Sequence, residues 1–343
     1  PAVVYSNLSE NNRVGKLSRK EHQVIKRDFL QVSWDQQIED DVRRLVQLAI
    51  AEDWGERGDV TVQCTIPETA TGKAAMVSRK RGILAGVLTV EVILAELSLD
   101  VQWKSLLTDG ASLEKGTVIG RLQGRVRDIL SVERILLNFV GRLSGIATLT
   151  HSYVSAVRGT KARIYDTRKT TPGWRRLEKY AVRCGGGHNH RLGLDRAILI
   201  KDNHLAWLAE ELQCSLEDAA KIAIRRAREL YPGHPIPSGQ DPADIIVEIE
   251  VDSLPQLETV LCENPDIVLL DNMSLEELRQ AVLLRNQLAP HVELEASGGV
   301  TLENVRAVAE TGVDRISVGA LTHAAPWLDI GLDWGADGSG AVE

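Results

Sequence analysis

Beyond Gly159 one unit recurs along the chain: a short apolar run of strand character followed by a stretch of helical periodicity. The runs are Ala162 to Tyr165, Ala197 to Ile200, Ile245 to Val251, Ile267 to Leu270, Val292 to Glu295 and Arg315 to Val318. Strands that alternate with helices pair in parallel within one sheet, because each helix returns the chain to the end from which it started. The last four runs begin about 22 to 26 residues apart. That is short for a doubly wound sheet with long helices and natural for a (β/α) barrel. The pattern breaks at Tyr231 to Asp244, where Pro232, Pro235, Pro237 and Pro242 mark a loop insertion.

The preceding half has a different texture. Ile38 to Glu52 carries Val42, Leu45, Val46, Leu48, Ala49 and Ile50 at helical spacing. Val60 to Leu122 reads as a small α+β unit, with β-rich pieces at Ala74 to Ser78 and Val118 to Leu122, frequent glycines, and a helix near Val87 to Leu97. Ser131 to Val157 is a long helix joining the two units, and Gly141 and Gly145, four apart, should let another helix approach closely. A chain of 343 residues suits one barrel plus a smaller domain.

Apolar residues make up 43% and charged residues 26%, an ordinary globular mix, and no apolar run approaches the roughly 20 residues of a membrane span. A soluble protein is expected. Pro1 to Lys20 has no apolar core of a signal peptide and reads as a polar arm, so no export is expected. Cys64, Cys184, Cys214 and Cys262 stand far apart with no paired spacing, which suits a reducing cytoplasm and neither a zinc cage nor a disulfide framework.

The net charge of -8 argues against a general nucleic-acid binder, which needs a broad basic face. Yet between Lys161 and His204 eleven Lys or Arg stand against four acids. In a parallel barrel the chemistry gathers at the C-terminal strand ends, and here all six ends are polar. Asp166 to Lys169 follow the first strand and Lys201 to His204 the second. Glu248 and Glu250 lie in the third, Asp271 and Asn272 close the fourth, Ser297-Gly298-Gly299 follow the fifth and Gly319-Ala320 the sixth. Glycines ahead of a helix expose backbone N–H groups, so the last two turns should hold one phosphate between them. Glu250 and Asp271, on neighbouring strands, can chelate a sugar diol directly or through Mg²⁺ and stabilise positive charge on a ribose. Alternation along Val247 to Val251 puts Glu248 and Glu250 on one face. Gly185-Gly186-Gly187-His188-Asn189-His190-Arg191 can fold over a ligand and present cationic donors; His188 and His204 carry no separate signal.

These blocks closely resemble the quinolinate phosphoribosyltransferase family from about Leu45 to Asp333. The resemblance runs through Ala51-Glu52-Asp53, Glu133-Arg134, Asp166 to Gly173, Asn189-His190-Arg191, Lys201 to His204, Glu248 to Asp252, Leu270-Asp271-Asn272, Glu295 to Gly299 and Val318 to Thr322. The arm and the proline-rich insertion depart from the family pattern. The resemblance implies an α/β fold in which an irregular (β/α) barrel follows an N-terminal open-faced α/β sandwich. It divides the chain into an arm (1–33), a sandwich (34–133 with 322–343) and a barrel (134–321). It further implies a homodimer with shared active sites, Arg134 being donated by the partner. Arg168, His190, Arg191 and Lys201 would cradle the two carboxylates of quinolinate, and Lys169 and Lys201 would reach phosphoribosyl pyrophosphate. Glu250 and Asp271 would hold the ribose hydroxyls, with Mg²⁺, and Ser297, Gly298, Gly299, Ser317 and Gly319 the 5′-phosphate. The implied reaction is phosphoribosyl transfer with decarboxylation, giving nicotinate mononucleotide for NAD synthesis.

Three rivals make different demands on the same residues. A related transferase acting on nicotinate would need fewer cations than Arg134, Arg168, Arg191 and Lys201 supply. A phosphometabolite sensor has no ribosyl cation for Glu250 and Asp271 to stabilise. A nucleic-acid binder would want more aromatic residues than this chain has.

Overall fold

The computed structural model describes residues 28–230 and 245–335. The first 27 residues of the expected arm, the insertion at 231–244 and residues 336–343 lie outside the described residues.

The first helix, α1 (Gln36–Asp53), begins where Asp35 accepts from the backbone N–H of Ile38 at 2.9 Å. It buries Ile38, Val42 and Val46, a stripe one residue wide, while Leu48 on its flank stays 68% exposed. The next element is a short helix, α2 (Val60–Thr65), capped by Asp59. Then come β1 (Thr71–Ser78), β2 (Gly82–Ile83), α3 (Leu88–Glu96), β3 (Val101–Ser105), β4 (Ser112–Leu113) and β5 (Val118–Arg125). The 31-residue α4 (Val126–Ala156) starts five residues earlier than its apolar period suggests. It packs against β1, β2 and β5 and also against β6 (Arg163–Tyr165) and α5 (Arg175–Cys184), so it belongs to both halves of the molecule.

The barrel half continues with β7 (Ile198–Ile200), α6 (Asp202–Leu212), α7 (Leu216–Leu230), β8 (Val247–Val251), α8 (Leu254–Leu261), β9 (Ile267–Asp271), α9 (Leu275–Leu288), β10 (Glu293–Ser297), α10 (Val305–Ala309), β11 (Arg315–Ser317) and α11 (Ala320–His323). The last strand, β12 (Ile330–Trp334), returns to the first half and pairs antiparallel with β1, giving a four-stranded sheet of order β12-β1-β5-β3. On its way back the chain passes over α4 at the two glycines. A Cβ at Gly145 would lie 2.1 Å from the Pro326 carbonyl oxygen, and Leu328 N–H donates to Gly141 O at 3.0 Å. The close approach those glycines permit is therefore made by an irregular C-terminal segment and not by a helix, because an extended backbone offers hydrogen-bonding groups that a helix has already spent.

All six expected barrel strands form and all pair in parallel, in the order β6-β11-β10-β9-β8-β7. The sheet has a seam between β6 and β7. There His188 makes a single parallel bridge to Tyr165, donating to Ile164 O at 2.8 Å and accepting from Asp166 N at 3.0 Å. The pleat sorts the strands into two faces. Ile249, Val251, Val268, Leu270, Leu294, Ala296, Ile316 and Val318 pack outward in the main apolar cluster. The opposite face is charged: Glu248, Glu293, Glu295 and Arg315 are all buried. At the floor of the barrel Arg315 contacts Glu293, Arg163 reaches both oxygens of Glu293 at 3.0 Å, and Arg315 lies 3.0 Å from Asp28. Arg315 also stands over the Tyr165 ring, 4.6 Å from its centroid. No described helix is long and apolar enough to cross a membrane.

Candidate active site

The C-terminal strand ends open into a cavity of about 810 Å³. Arg168, Lys169, His190, Arg191, Lys201, Glu250, Asp271, Ser297, Gly298, Gly299, Ser317 and Gly319 all line it. Of the substrate-contacting residues that the resemblance implies, Arg134 alone lies elsewhere. It lines a second cavity, of about 510 Å³, together with Leu48, Phe139, Trp174 and the half-exposed Trp327.

The basic wall is built on two buried hubs. Asp166, directly after β6, is fully buried and accepts from Lys179, from Asn189 Nδ2 at 2.6 Å and from His190 N–H at 2.9 Å. Burial pushes its carboxyl up and the Lys179 ammonium down, and each is held by the other's charge. Glu178 on α5, also fully buried, accepts from Arg142 of α4 at 2.7 Å and from the hydroxyl of Thr171 at 2.8 Å. The two hubs tie down opposite ends of the loop that carries Arg168 and Lys169. Thr322 secures the same loop by donating to Lys169 O at 2.7 Å.

The guanidinium groups of that wall are underused. Nε of Arg168 and Nε of Arg191 are both buried and have no hydrogen-bond partner. Nη1 of Arg191 donates to Ala197 O at 3.0 Å, and burial with the like charge of Arg168 lowers the proton affinity of the guanidinium. Two adjacent cations with idle donors are costly unless an anion joins them. Side by side, the two guanidinium groups can hold a carboxylate between them.

His190 lines the cavity with its ring turned inward. Its Nδ1 accepts from Arg191 N–H at 2.8 Å, which puts the proton of the neutral ring on Nε2, 3.0 Å from Glu248 and 3.6 Å from Glu295. Burial drives the imidazole down to about 4 and the two carboxyls up to about 7. The three ligand atoms lie within 4.8 Å of one another. Glu295 is the residue that sequence reading leaves out. The alternation that turns Glu248 and Glu250 inward also runs through Glu293-Leu294-Glu295-Ala296-Ser297, and it carries the signal.

Across the cavity, Lys201 contacts Glu250, and Asn272 Nδ2 donates to Asp271 at 2.8 Å. Asn272 has φ +52° and Gly298 has φ +90°, so the ends of β9 and β10 meet in two left-handed residues. A Cβ at Gly298 would lie 2.2 Å from Asn272 Oδ1, whereas one at Gly299 would meet nothing within 4 Å. At the next turn a Cβ on Gly319 would lie 3.0 Å from Lys169 Cδ. Glycine there lets the lysine stem cross the start of α11.

Comparison with known proteins agrees in both halves. Residues 59–144 match the model for the quinolinate phosphoribosyl transferase N-terminal domain and residues 146–333 that for its C-terminal domain. A nicotinate-nucleotide pyrophosphorylase (carboxylating) from Mycobacterium leprae is 44% identical over 296 residues, covering 86% of this chain and 97% of that protein. A quinolinate phosphoribosyltransferase (decarboxylating) 1b from Nicotiana tabacum is 37% identical over 85% of this chain and 82% of its own length. Among solved structures, the nicotinate-nucleotide pyrophosphorylase from Francisella tularensis superposes with a TM-score of 0.78 at 36% identity, covering 90% of this chain and all of that one. Both domains, in this order and around this cavity, make the chain a member of the quinolinate phosphoribosyltransferase family.

Proposed function

We propose that the chain transfers the phosphoribosyl group of phosphoribosyl pyrophosphate to quinolinate with loss of CO₂, giving nicotinate mononucleotide and pyrophosphate for NAD biosynthesis. The observation that carries this reading is that three cationic side chains, Arg168, Arg191 and Lys201, line one cavity together with the glycine turns at Ser297 to Gly299 and Gly319. A dicarboxylate can engage all three cations. A monocarboxylate such as nicotinate would leave part of the set idle.

Arg168, Arg191 and Lys201 hold the two carboxylates, and His190 braces Arg191 from beneath through Nδ1. The N–H groups at Ser297 to Gly299 and Gly319, with the Ser317 hydroxyl, take the 5′-phosphate. Lys169, crossing Gly319, neutralises the pyrophosphate. Glu250 and Asp271 receive the ribose hydroxyls and stabilise the positive charge that develops on the ring as pyrophosphate departs. The pyridine nitrogen then forms its bond to the anomeric carbon and becomes cationic. That cation accepts the electron pair of the C2–carboxylate bond as CO₂ leaves, and a proton delivered to C2 completes the product.

Mg²⁺ fits the donor set: Glu250 and Asp271 are hard oxygen ligands at the ends of adjacent strands, and a magnesium ion is ordinarily held by one or two carboxylates plus phosphate oxygens. Bound there, it would neutralise the pyrophosphate. A homodimer with Arg134 serving the partner's site is supported by its position in the second cavity, beside the exposed Leu48 and Trp327. Cytoplasmic residence suits the four free cysteines.

Purified protein given quinolinate, phosphoribosyl pyrophosphate and Mg²⁺ should release CO₂ and form nicotinate mononucleotide. Turnover of nicotinate in place of quinolinate would overturn the assignment. For the shared site, an Arg134→Ala chain mixed with a Lys201→Ala chain should regain activity, and no recovery after demonstrated subunit exchange would refute donation between subunits.

A further inference from the structure

The segment from Asp28 to Val32 lies ahead of both matched family domains, which begin at residue 59. It nevertheless inserts into the barrel. Phe29 is 5% exposed and packs with Tyr165, Ala197, Ile246 and Ile267 in a cluster separate from the main core. Asp28, beside it, accepts from the Tyr165 hydroxyl and from Arg163, both at 2.9 Å. The segment sits at the seam where β6 and β7 fail to pair.

What it grips there is the backbone that carries His190 and Arg191. Gln31 Oε1 accepts from Asn189 N–H at 2.8 Å and Gln31 Nε2 donates to Asn189 O at 3.1 Å, so one side chain satisfies both backbone groups of a fully buried residue. Val32 N–H donates to Asn189 Oδ1 at 2.8 Å. The other side of the Asn189 amide donates to Asp166 and to Lys179 O. The Phe29 ring lies 4.3 Å from the His190 ring, on the wall opposed by Glu248. Without the segment, Asn189 would lose these partners at the unpaired seam, and nothing on that side would fix the imidazole that braces Arg191.

We infer that Asp28–Val32 is the closing piece of this barrel, and that Phe29 and Gln31 are positioning residues that set His190 and Arg191 for the dicarboxylate. The inference rests on the proposed acid pocket. Neither residue touches substrate; both act through the Asn189-His190-Arg191 backbone. A positioning role predicts selectivity between substrates, because the residues for the ribose and 5′-phosphate, Glu250, Asp271, Ser297 to Gly299, Ser317 and Gly319, stand at the ends of β8 to β11 away from the seam, and Lys169 alone reaches the pyrophosphate from the loop after β6.

Steady-state kinetics on the full-length chain test it. Gln31→Ala should raise the KM for quinolinate about tenfold, as expected for two lost hydrogen bonds, and leave the KM for phosphoribosyl pyrophosphate within about twofold. Phe29→Ala should behave alike, and Phe29→Leu, which refills the space, should recover most of the loss. Should Gln31→Ala fail to fold, Gln31→Glu, which keeps the acceptor and removes the donor, should give the same selectivity to a smaller degree. Equal effects on both substrates, or an unchanged quinolinate KM in folded protein, would overturn the positioning role. Arg191→Ala is the control. If it leaves quinolinate binding unchanged, the acid pocket is misread and the positioning role falls with it; if it weakens quinolinate and Gln31→Ala does not, only the positioning role fails.

Discussion

Gly298→Ala and Gly299→Ala are neighbouring changes of one methyl group with different expected consequences. At Gly298, φ is +90° and the new Cβ would stand 2.2 Å from Asn272 Oδ1 and 3.1 Å from Asn272 N. Turning the Asn272 amide away removes the first contact but breaks its bond to Asp271, and the second contact, to backbone, remains. Restoring an ordinary 3.4 Å separation to Oδ1 therefore shifts the turn by about 1 Å. A shift of that size takes one N–H out of reach of a phosphate oxygen, and a hydrogen bond to a charged group is worth about 1.5–3 kcal/mol. The affinity for phosphoribosyl pyrophosphate should fall about ten- to hundredfold. At Gly299, φ is +60° and the space is open, so alanine meets only the backbone penalty of about 1–2 kcal/mol, which lowers stability and leaves affinity nearly intact. Titration calorimetry with each substrate, alongside thermal unfolding, separates the two. Equal losses of phosphoribosyl pyrophosphate affinity in both variants, or a matching loss for quinolinate after Gly298→Ala, would refute the phosphate reading of this turn.

Asp166→Ala should cost about 3–5 kcal/mol in urea unfolding, because it strands the buried Lys179 ammonium, whereas Asp166→Leu combined with Lys179→Met should recover stability without recovering quinolinate binding. Asp314 offers a pH test. Burial alone would raise its carboxyl, but Leu294 N–H, Arg285 and Lys161 outweigh burial and hold it down at about 2, against an ordinary 3.8. Since the folded value is the lower one, the stabilisation is complete above about pH 4 and is lost as pH falls through 2; Asp314→Asn should be roughly 2 kcal/mol less stable at pH 7 and match the parent below pH 2 in acid unfolding. Chelation should abolish turnover and added Mg²⁺ restore it, with Glu250→Gln and Asp271→Asn each needing more metal for half-maximal rate. An unchanged metal requirement in both variants would remove these two carboxylates from the metal site.

Six parallel strands and nine of the twelve cavity residues follow from repeat spacing and strand-end polarity, because a barrel leaves little freedom in where strand ends gather; His190 and Arg191 are marked by the glycine-rich loop and Ser317 by the family resemblance alone. What escaped did so for physical reasons. β3, Val-Gln-Trp-Lys-Ser, does alternate apolar and polar residues, but over only five positions, none of them buried, which is too short a signal to stand out from the turns around it. The start of α4 has no side-chain cap, and without a cap residue nothing in the sequence marks the first turn. The charged interior of the barrel was hidden by the expectation that strands bury apolar residues. Arg315 and Glu293 read as strand edges until their partners, far apart in sequence, are seen together. Arg134 is legible as a member of a family motif, yet its separation from the cavity cannot be inferred from spacing along a helix.

The return of β12 to β1 has a consequence for how the molecule is made. The antiparallel sheet begins at Thr71 and is finished at Trp334, so its outer strand is synthesised only after the whole barrel. Until then β1 is an open edge with unpaired backbone groups, able to recruit strands from other chains. Truncation before Ile330 should leave that edge permanently bare and convert a folded enzyme into an aggregating one. The last strand thus works as a clasp: the two halves are adjacent in sequence but can only be completed together.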